Sequence, residues 1–210
     1  VKNKGLLFYL LAYFCYIDGV GTVIHMSTSY GSTLGLDTTG MILALLVTQI
    51  VAMPCSILFG RISKKVGSIR MIAIAIGVYF LICCVGFYMG YIVEIDPVNS
   101  NGLALTLFWC MAFLVGTVQG GIQALSRSYF SKLVPPDKSN EFFGFFDIFG
   151  KFATVVGPFL VAFVTGLTGR SSFGILSLML LFAIGGVLLF VGRKPMQEAE
   201  AAALRARNSK

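Results

Sequence analysis

The chain contains six apolar blocks, and each block is about as long as a helix that crosses a membrane. Crossing about 30 Å of hydrocarbon takes a helix of roughly 20 residues. Charged residues make up 12% of the chain, about half the share that soluble domains carry. We place the blocks at about residues 5–26, 39–59, 71–91, 103–125, 142–167 and 173–191. The sequence therefore predicts an all-α, multi-pass integral membrane protein in the lipid bilayer, with a transmembrane unit over 1–193 and a tail over 194–210.

Basic residues are concentrated in the segments that one membrane face would share. These segments are the N-terminus, the second-to-third link, the fourth-to-fifth link and the tail. They hold Lys2, Lys4, Arg61, Lys64, Lys65, Arg70, Arg127, Lys132, Lys138, Arg193, Lys194, Arg205, Arg207 and Lys210. The opposite links carry Asp37, Glu94, Asp96 and a single basic residue, Arg170. By the positive-inside rule, both termini should be cytoplasmic, and in a bacterium the membrane would be the plasma (inner) membrane. The net charge of +7 thus reports orientation and does not predict nucleic-acid binding.

The sequence shows no signal for a metal, a cofactor or an enzyme. Its cysteines all fall inside apolar blocks, without CxxC spacing and with one histidine in the whole chain. They are Cys15, Cys55, Cys83, Cys84 and Cys110. Buried small apolar side chains are the usual role of such cysteines. No phosphate-binding GxxxxGK[ST] loop is present, so an ATP-driven pump is not encoded here.

The first block carries a carboxylate and the chain's one histidine among apolar residues. At 100° per residue, Asp18, Thr22 and His25 lie on nearly the same helix face. An ionisable group at membrane depth normally faces a bundle interior or an aqueous path, because lipid disfavours its charged form. We therefore assign these three residues to a substrate or proton pathway. A structural ion pair is the alternative for Asp18, and a place at the membrane interface is the alternative for His25.

Two further polar pairs occur at helical spacing in the later blocks. Asp147 and Lys151 stand four residues apart in the fifth block, in the order that favours a local ion pair. Lys151 has two other possible partners, Asp18 across the bundle or a substrate carboxylate. Gln119 and Gln123 place two amides on one face of the fourth block. Both pairs are assigned to the same substrate or proton pathway, and bonds between helices are the alternative for the two amides.

Prolines and glycines within the blocks predict bends and close helix contacts. Pro54 and Pro158 each remove one backbone hydrogen bond inside a predicted helix, so each predicts a kink that is either structural or part of gating. Gly86 with Gly90 and Gly116 with Gly120 form small-xxx-small pairs, which allow two helices to approach closely.

The link GRISKKVGSIR, residues 60–70, has a recognisable pattern. Taken alone it is a basic turn between the second and third blocks. Its form, G-x-[LI]-[AS]-x-[RK]-x-G, resembles the signature loop of the major facilitator superfamily. The matching residues are Gly60, Ile62, Ser63, Lys65 and Gly67. Lys64 stands where that signature has an acidic residue, so the acidic charge-relay role is not carried over.

A longer segment resembles one subgroup of that superfamily. The stretch GGIQALSRSYFSKLVPPDKSNEFFGFFDIFGKF (120–152), with LLFYLLAYFCYIDGVGT and GPFLVAFVTGLTG, is similar to vacuolar amino-acid effluxer-like permeases linked to autophagy. The resemblance covers helices 7 to 12 of a twelve-helix fold, that is, a C-terminal half built as a 3+3 inverted repeat. A start at Val1 without methionine fits such a fragment. The partner would be an N-terminal six-helix half or a second copy.

The resemblance implies a secondary transporter that works by alternating access. Its solute would be a small polar molecule such as an amino acid, moved outward, with proton coupling through Asp18. Residues around the basic links would form a cytoplasmic gate. They are Gly60, Lys65, Gly67, Arg70, Arg127 and Glu141. Plain surface charges are the alternative for Arg127 and Glu141, and a non-transporting six-helix scaffold or interaction subunit is the alternative for the whole chain.

Overall fold

The computed structural model describes residues 4–96, 99–135 and 139–208, and every regular element in them is a helix. The helices are α1 (Lys4–Thr33), α2 (Thr38–Val66), α3 (Ser68–Ile95), α4 (Asn101–Leu133), α5 (Ser139–Phe152), α6 (Val156–Thr168), α7 (Ser171–Val191) and α8 (Arg193–Asn208). Six spans are long and apolar enough to cross a membrane, with α5 and α6 together forming one of them. The prediction of an all-α membrane protein with six spans is confirmed. Lys2, Lys138 and Lys210 lie outside the described residues, and the side chain of Arg207 is not described.

The link between the second and third spans is much shorter than the sequence pattern indicated. Helix α2 continues to Val66 and α3 begins at Ser68, so only Gly67 interrupts the helices. Gly67 has a φ of +98° and donates its N–H to the Ser63 carbonyl at 2.9 Å. Cations in the last turn of a helix interact favourably with its dipole, which explains why Lys64 and Lys65 extend α2 instead of ending it.

The fifth predicted block is two helices instead of one. Helix α5 ends at Phe152, residues 153–155 form a turn, and α6 begins at Val156. Pro158 lies in the first turn of α6 and has no N–H that could donate toward the Thr154 carbonyl. The prediction of a continuous helix over 142–167 is therefore wrong. Pro54, in contrast, lies inside α2, which continues through it.

Helix α1 lies at the centre of the packing. It packs along α7 and also contacts α4, α5, α6 and α8, while α3 packs between α4 and α7. Helix α2 packs closely along α4. A Cβ added at Gly116 would lie 2.9 Å from the Thr48 carbonyl oxygen, and one at Gly120 would lie 2.9 Å from Ser56 Cβ. The second small-xxx-small pair therefore serves the α2–α4 contact, as that spacing predicts.

Helices α2 and α5–α6 are the least covered spans. Only 17% of the most apolar stretch of each is buried, compared with 56% for α1. Their outward side chains are large and apolar. They include Ile42, Leu46, Ile50, Met53 and Ile57 on α2, and Phe152, Val155, Phe159, Phe163 and Leu167 on α5, the turn and α6. Two broad apolar surfaces are thus open on this bundle.

The tail is an ordered helix that packs on the bundle. Helix α8 contacts α1, α4 and α7, with Met196, Ala199 and Ala203 buried. Gly5 lies against the backbone carbonyl of Pro195, where a Cβ would overlap that oxygen. Short links make successive spans run in opposite directions, so α8, the start of α1, the α2–α3 junction and the α4–α5 link share one end. We call it the basic end.

Replacing Gly185 with alanine should destabilise the bundle, because its Cβ would lie 3.0 Å from Tyr16 Cβ and 3.1 Å from the Tyr16 backbone nitrogen. Overpacking of this kind costs about 1–3 kcal/mol. Gly77→Ala is the matched control, since Gly77 is also helical and has no neighbour within 4 Å. Thermal unfolding in detergent should show a lower midpoint for G185A and an unchanged or higher one for G77A. Equal midpoints would contradict this account of the α1–α7 contact.

Candidate functional site

Asp18 lies halfway along α1 and is fully buried. Its Oδ2 accepts a hydrogen bond of 2.8 Å from the backbone N–H of Gly157, in the first turn of α6. First-turn N–H groups have no partner inside their own helix, and they form the positive end of its dipole. The carboxylate of Asp18 therefore caps α6 from another helix. It satisfies one of the donors that the break at residues 153–155 exposes.

Thr22 and Gly157 fix the position of this carboxylate. The Thr22 hydroxyl donates to the backbone carbonyl of Asp18 at 2.8 Å, one turn earlier in the same helix. Gly157 lies so close that a Cβ there would overlap Thr22 Oγ1 and lie 3.0 Å from Asp18 Oδ1. The backbone N–H of α6 can approach Asp18 only because residue 157 has no side chain.

The second oxygen of Asp18 differs from the first. Oδ1 is buried and makes no hydrogen bond within the described part of the chain. Buried polar atoms are normally bonded, so an unpaired carboxylate oxygen indicates a place for a proton or for a polar ligand atom. A proton on Oδ1 would neutralise the charge and leave Oδ2 free to accept from Gly157.

A second carboxylate caps a helix in the same way but is fully satisfied. Glu94, near the end of α3, accepts from the Ser172 backbone N–H at 3.0 Å and from the Ser172 hydroxyl at 2.7 Å. Ser172 lies in the first turn of α7. Glu94 therefore has the structural role of Asp18 without its free oxygen, and it is an internal comparison for the chemistry at Asp18.

The structure separates the other residues predicted to surround Asp18. His25 and Lys151 are both exposed, whereas Asp18 and Thr22 are buried under α6. Within residues 4–96, 99–135 and 139–208, the one salt bridge joins Arg127 to Asp147. Asp18 is thus held by a backbone donor and not by an ion pair, and Asp147 pairs with Arg127 on α4 instead of with Lys151 on its own helix.

A small cavity between α1, α2 and α4 contains Gln119. It measures about 40 Å³, enough for a few water molecules, and Ser27, Thr48 and Gln49 also line it. Gln119 Oε1 is buried and has no hydrogen-bond partner among the described residues. The sequence analysis missed Gln49, because Gln119 was identified by its spacing to Gln123 and Gln49 has no second amide at such a spacing. The polar lining is neutral.

Exposed polar side chains continue from Gln123 toward the basic end on α4 and α5. Arg127 Nη2 lies 3.6 Å from Asp147 Oδ1, and the Arg127 guanidinium lies 5.7 Å from the centre of the Phe143 ring. The Arg127 and Asp147 side chains are 62% and 53% exposed, so solvent would limit their pairing to at most about 1 kcal/mol. We call Gln123, Arg127, Asp147 and Lys151 the polar face.

The residues predicted to form the cytoplasmic gate lie in two separate groups. Lys65, Gly67 and Arg70 line a cavity at the α2–α3 junction. Arg127 lines a different groove, between α4 and α5, and Glu141 is exposed in the first turn of α5. Gly60 lies inside α2, with no atom within 4 Å of where its Cβ would be.

Buried hydroxyls join α1 to α4 near the basic end, and the sequence analysis did not identify them. Tyr9 donates to the Ser126 carbonyl at 2.8 Å. The Tyr16 and Ser126 hydroxyls lie 2.7 Å apart, and Ser126 donates on to the Ile122 carbonyl at 2.6 Å. This network fixes α1 against α4 on the basic side of Asp18.

Comparisons with known proteins find one matching family and several relatives. A family model described as "Vacuole effluxer Atg22 like" matches residues 1–201. A Bacillus subtilis (strain 168) protein named "Uncharacterized MFS-type transporter YxiO" is 48% identical over 90% of this chain and 41% of its own length. "Autophagy-related protein 22-1" of Emericella nidulans is 29% identical over 77% of this chain and 28% of its own. "Autophagy-related protein 22" of Saccharomyces cerevisiae (strain ATCC 204508 / S288c) is 27% identical over 94% and 38%. No solved structure matches the chain.

The chain is therefore much shorter than these relatives. It spans less than half the length of each of the three. The similarity of the six spans therefore concerns part of each relative and not the whole protein.

Two substitutions of Asp18 distinguish the effect of its hydrogen bond to Gly157 from the effect of its negative charge. Asp18→Ala removes both, and loss of a helix cap costs about 1–2 kcal/mol. Asp18→Asn keeps an oxygen that can accept from Gly157, so its thermal midpoint in detergent should fall less than that of the alanine variant. Gly157→Ala should also destabilise, while Gly166→Ala in the same helix faces open space and serves as the control. An unchanged midpoint for D18A would contradict the capping role.

Proposed function

Because the chain belongs to the Atg22-like vacuole effluxer family, we propose that it is the C-terminal half of a major facilitator transporter that works by alternating access. One observation carries the proposal: the polar face leaves Gln123, Arg127, Asp147 and Lys151 exposed on membrane-spanning helices. A charged side chain at membrane depth costs about 2.5–3.5 kcal/mol when lipid surrounds it. An aqueous path enclosed by a second half removes this cost.

The missing half would close the bundle over its two open apolar surfaces. Helices α2 and α5–α6 are the least covered spans, and they would pack on an N-terminal six-helix half or on a second copy. Substrate would then bind near mid-membrane, between the two halves. We place the basic end on the cytoplasmic side, in the plasma membrane of a bacterium, from the distribution of lysine and arginine.

The solute we propose is a small polar molecule such as an amino acid, moved outward. The polar groups around the small cavity between α1, α2 and α4, among them Ser27, Gln49 and Gln119, are neutral, which suits a neutral or zwitterionic solute. The resemblance to vacuolar amino-acid effluxers supports the substrate class, and the word "effluxer" in the family description supports the direction.

Asp18 is the group that we propose for proton coupling. Its Oδ1 is buried and has no hydrogen-bond partner in the described part of the chain, so a proton could bind there without breaking a hydrogen bond seen in the structure. Protonation would remove the negative charge from the N-terminus of α6, and the electrostatic attraction between α1 and α6 would weaken. Loading a proton would therefore loosen the contact at the break in the fifth span, where the chain can bend.

Flux measurements on the whole transporter in proteoliposomes test the coupling role. Asp18→Asn should abolish accumulation of the solute driven by a proton gradient while leaving solute exchange intact, since the cap survives and the titrating charge does not. Glu94→Gln is the matched control, because Glu94 caps α7 with both of its oxygens already bonded. Unchanged accumulation in D18N would refute the coupling role. Absence of any flux in the wild-type protein would favour the scaffold alternative.

The pair of Arg127 and Asp147 gives a test of the proposed gate. Arg127→Asp should slow initial flux several-fold, because it places two carboxylates together on the polar face. The double exchange R127D/D147R restores opposite charges and should recover most of the rate. Thermal midpoints should change little, since an exposed pair contributes at most about 1 kcal/mol. Full activity of the single variant, or no recovery in the double one, would show that the pair does not act in gating.

A further inference from the structure

An open, strongly basic cavity lies at the basic end, away from the polar face. It measures about 450 Å³ and forms where the α2–α3 junction, the end of α4 and helix α8 meet. Its charged lining consists of Lys64, Lys65, Arg70, Lys132, Arg193 and a single carboxylate, Glu200. Cations from four helices therefore converge on one space, although like charges repel, and this indicates that an anion belongs there.

The backbone of α3 adds an anion-binding element to this cavity. Gly67 joins α2 to α3 through a positive φ, and no side chain of a described residue caps the N-terminus of α3. Ser68, Ile69 and Arg70, the first residues of α3, line the cavity. The N–H groups of a first helical turn favour a bound anion, because they lack internal partners and form the positive end of the dipole.

Tyr129 adds a hydroxyl to the lining of this cavity. It is 2% exposed, and its hydroxyl interacts with the Glu200 side chain but forms no hydrogen bond of good geometry with a described residue. A buried hydroxyl normally donates to some acceptor. A ligand oxygen in the cavity would supply that acceptor.

We propose that this cavity binds a phosphate group. Arginine matches phosphate oxygens through two parallel N–H donors, lysine adds point charges, and Tyr129 adds a neutral donor. The cavity lies at the end of the spans, where lipid headgroups lie. Exposed apolar side chains at Ile62 and Val66 lie beside it on α2. The phosphate can therefore come from an anionic phospholipid or from solution, and either source would tie α8 to the α2–α3 junction. Phosphate binding here does not depend on the proposed transport activity, although Lys65, Gly67 and Arg70 also belong to the predicted cytoplasmic gate.

Two binding measurements on the whole purified protein distinguish the sources. Native mass spectrometry would compare phosphatidylglycerol with phosphatidylcholine of the same acyl chains, and a thermal-shift titration would use inorganic phosphate. The site variant is Lys132→Gln with Arg193→Gln. Its control is Arg61→Gln with Lys194→Gln, which removes the same charges from exposed positions beside the cavity but outside its lining. Tyr129→Phe removes the hydroxyl alone.

We expect binding to the site variant to be about 10- to 30-fold weaker, as expected for two cations near a membrane surface. The control should bind like the wild type, and Y129F should bind several-fold more weakly. A preference for phosphatidylglycerol that the site variant loses assigns the site to lipid. Stabilisation by phosphate without that preference assigns it to a soluble anion. If neither the phosphatidylglycerol preference nor the stabilisation by phosphate is seen, or if the control loses as much binding as the site variant, the proposed phosphate site is refuted.

Discussion

The hydrogen bond from the Gly157 backbone to Asp18 is the constraint on which the membrane-spanning fold depends. A helix that breaks inside a bilayer exposes backbone donors where no water can bond them, and each unsatisfied group costs several kcal/mol. The fifth span breaks at residues 153–155, and Asp18 reaches across from α1 to satisfy one such donor. Because α1 also packs on α4, α7 and α8, this bond connects the break to the centre of the bundle.

The two carboxylate caps of the bundle show why one is suited to chemistry and the other to structure. Glu94 accepts one hydrogen bond from Ser172 at each of its two oxygens, and both bonds favour its charged form. Among the described residues, Asp18 accepts one such bond, at Oδ2, and Oδ1 has no partner. The same amino-acid chemistry therefore gives a fully bonded cap on α7 and a partly bonded cap on α6, and the second is the one that we propose for proton coupling. The difference lies in the number of donors at each helix end.

The sequence predicted the spans well because lipid leaves few alternatives for a long apolar block. It predicted helix ends poorly, since Lys64 and Lys65 look like a loop but favour the last turn of α2. Proline spacing alone did not locate the break, because α2 continues through Pro54 while the fifth span is interrupted before Pro158. Asp18 was identifiable as a charge among apolar residues. Its partner, the backbone N–H of Gly157, was not identifiable, because every residue except proline carries a backbone N–H.

Charge, more than apolar area, identifies the face of this bundle that needs covering. The open apolar surfaces of α2 and α6 are compatible with lipid, which solvates such side chains as well as protein does. Lys151, inside the fifth span, is not, since a charged side chain costs about 2.5–3.5 kcal/mol in hydrocarbon. Asp147 pairs with Arg127 near the basic end, and Lys151 forms no salt bridge within the described residues. Under the proposed function, water reaches this part of the polar face. A partner that packs on α2 and α5–α6 would keep lipid away from the charges while leaving room for that water.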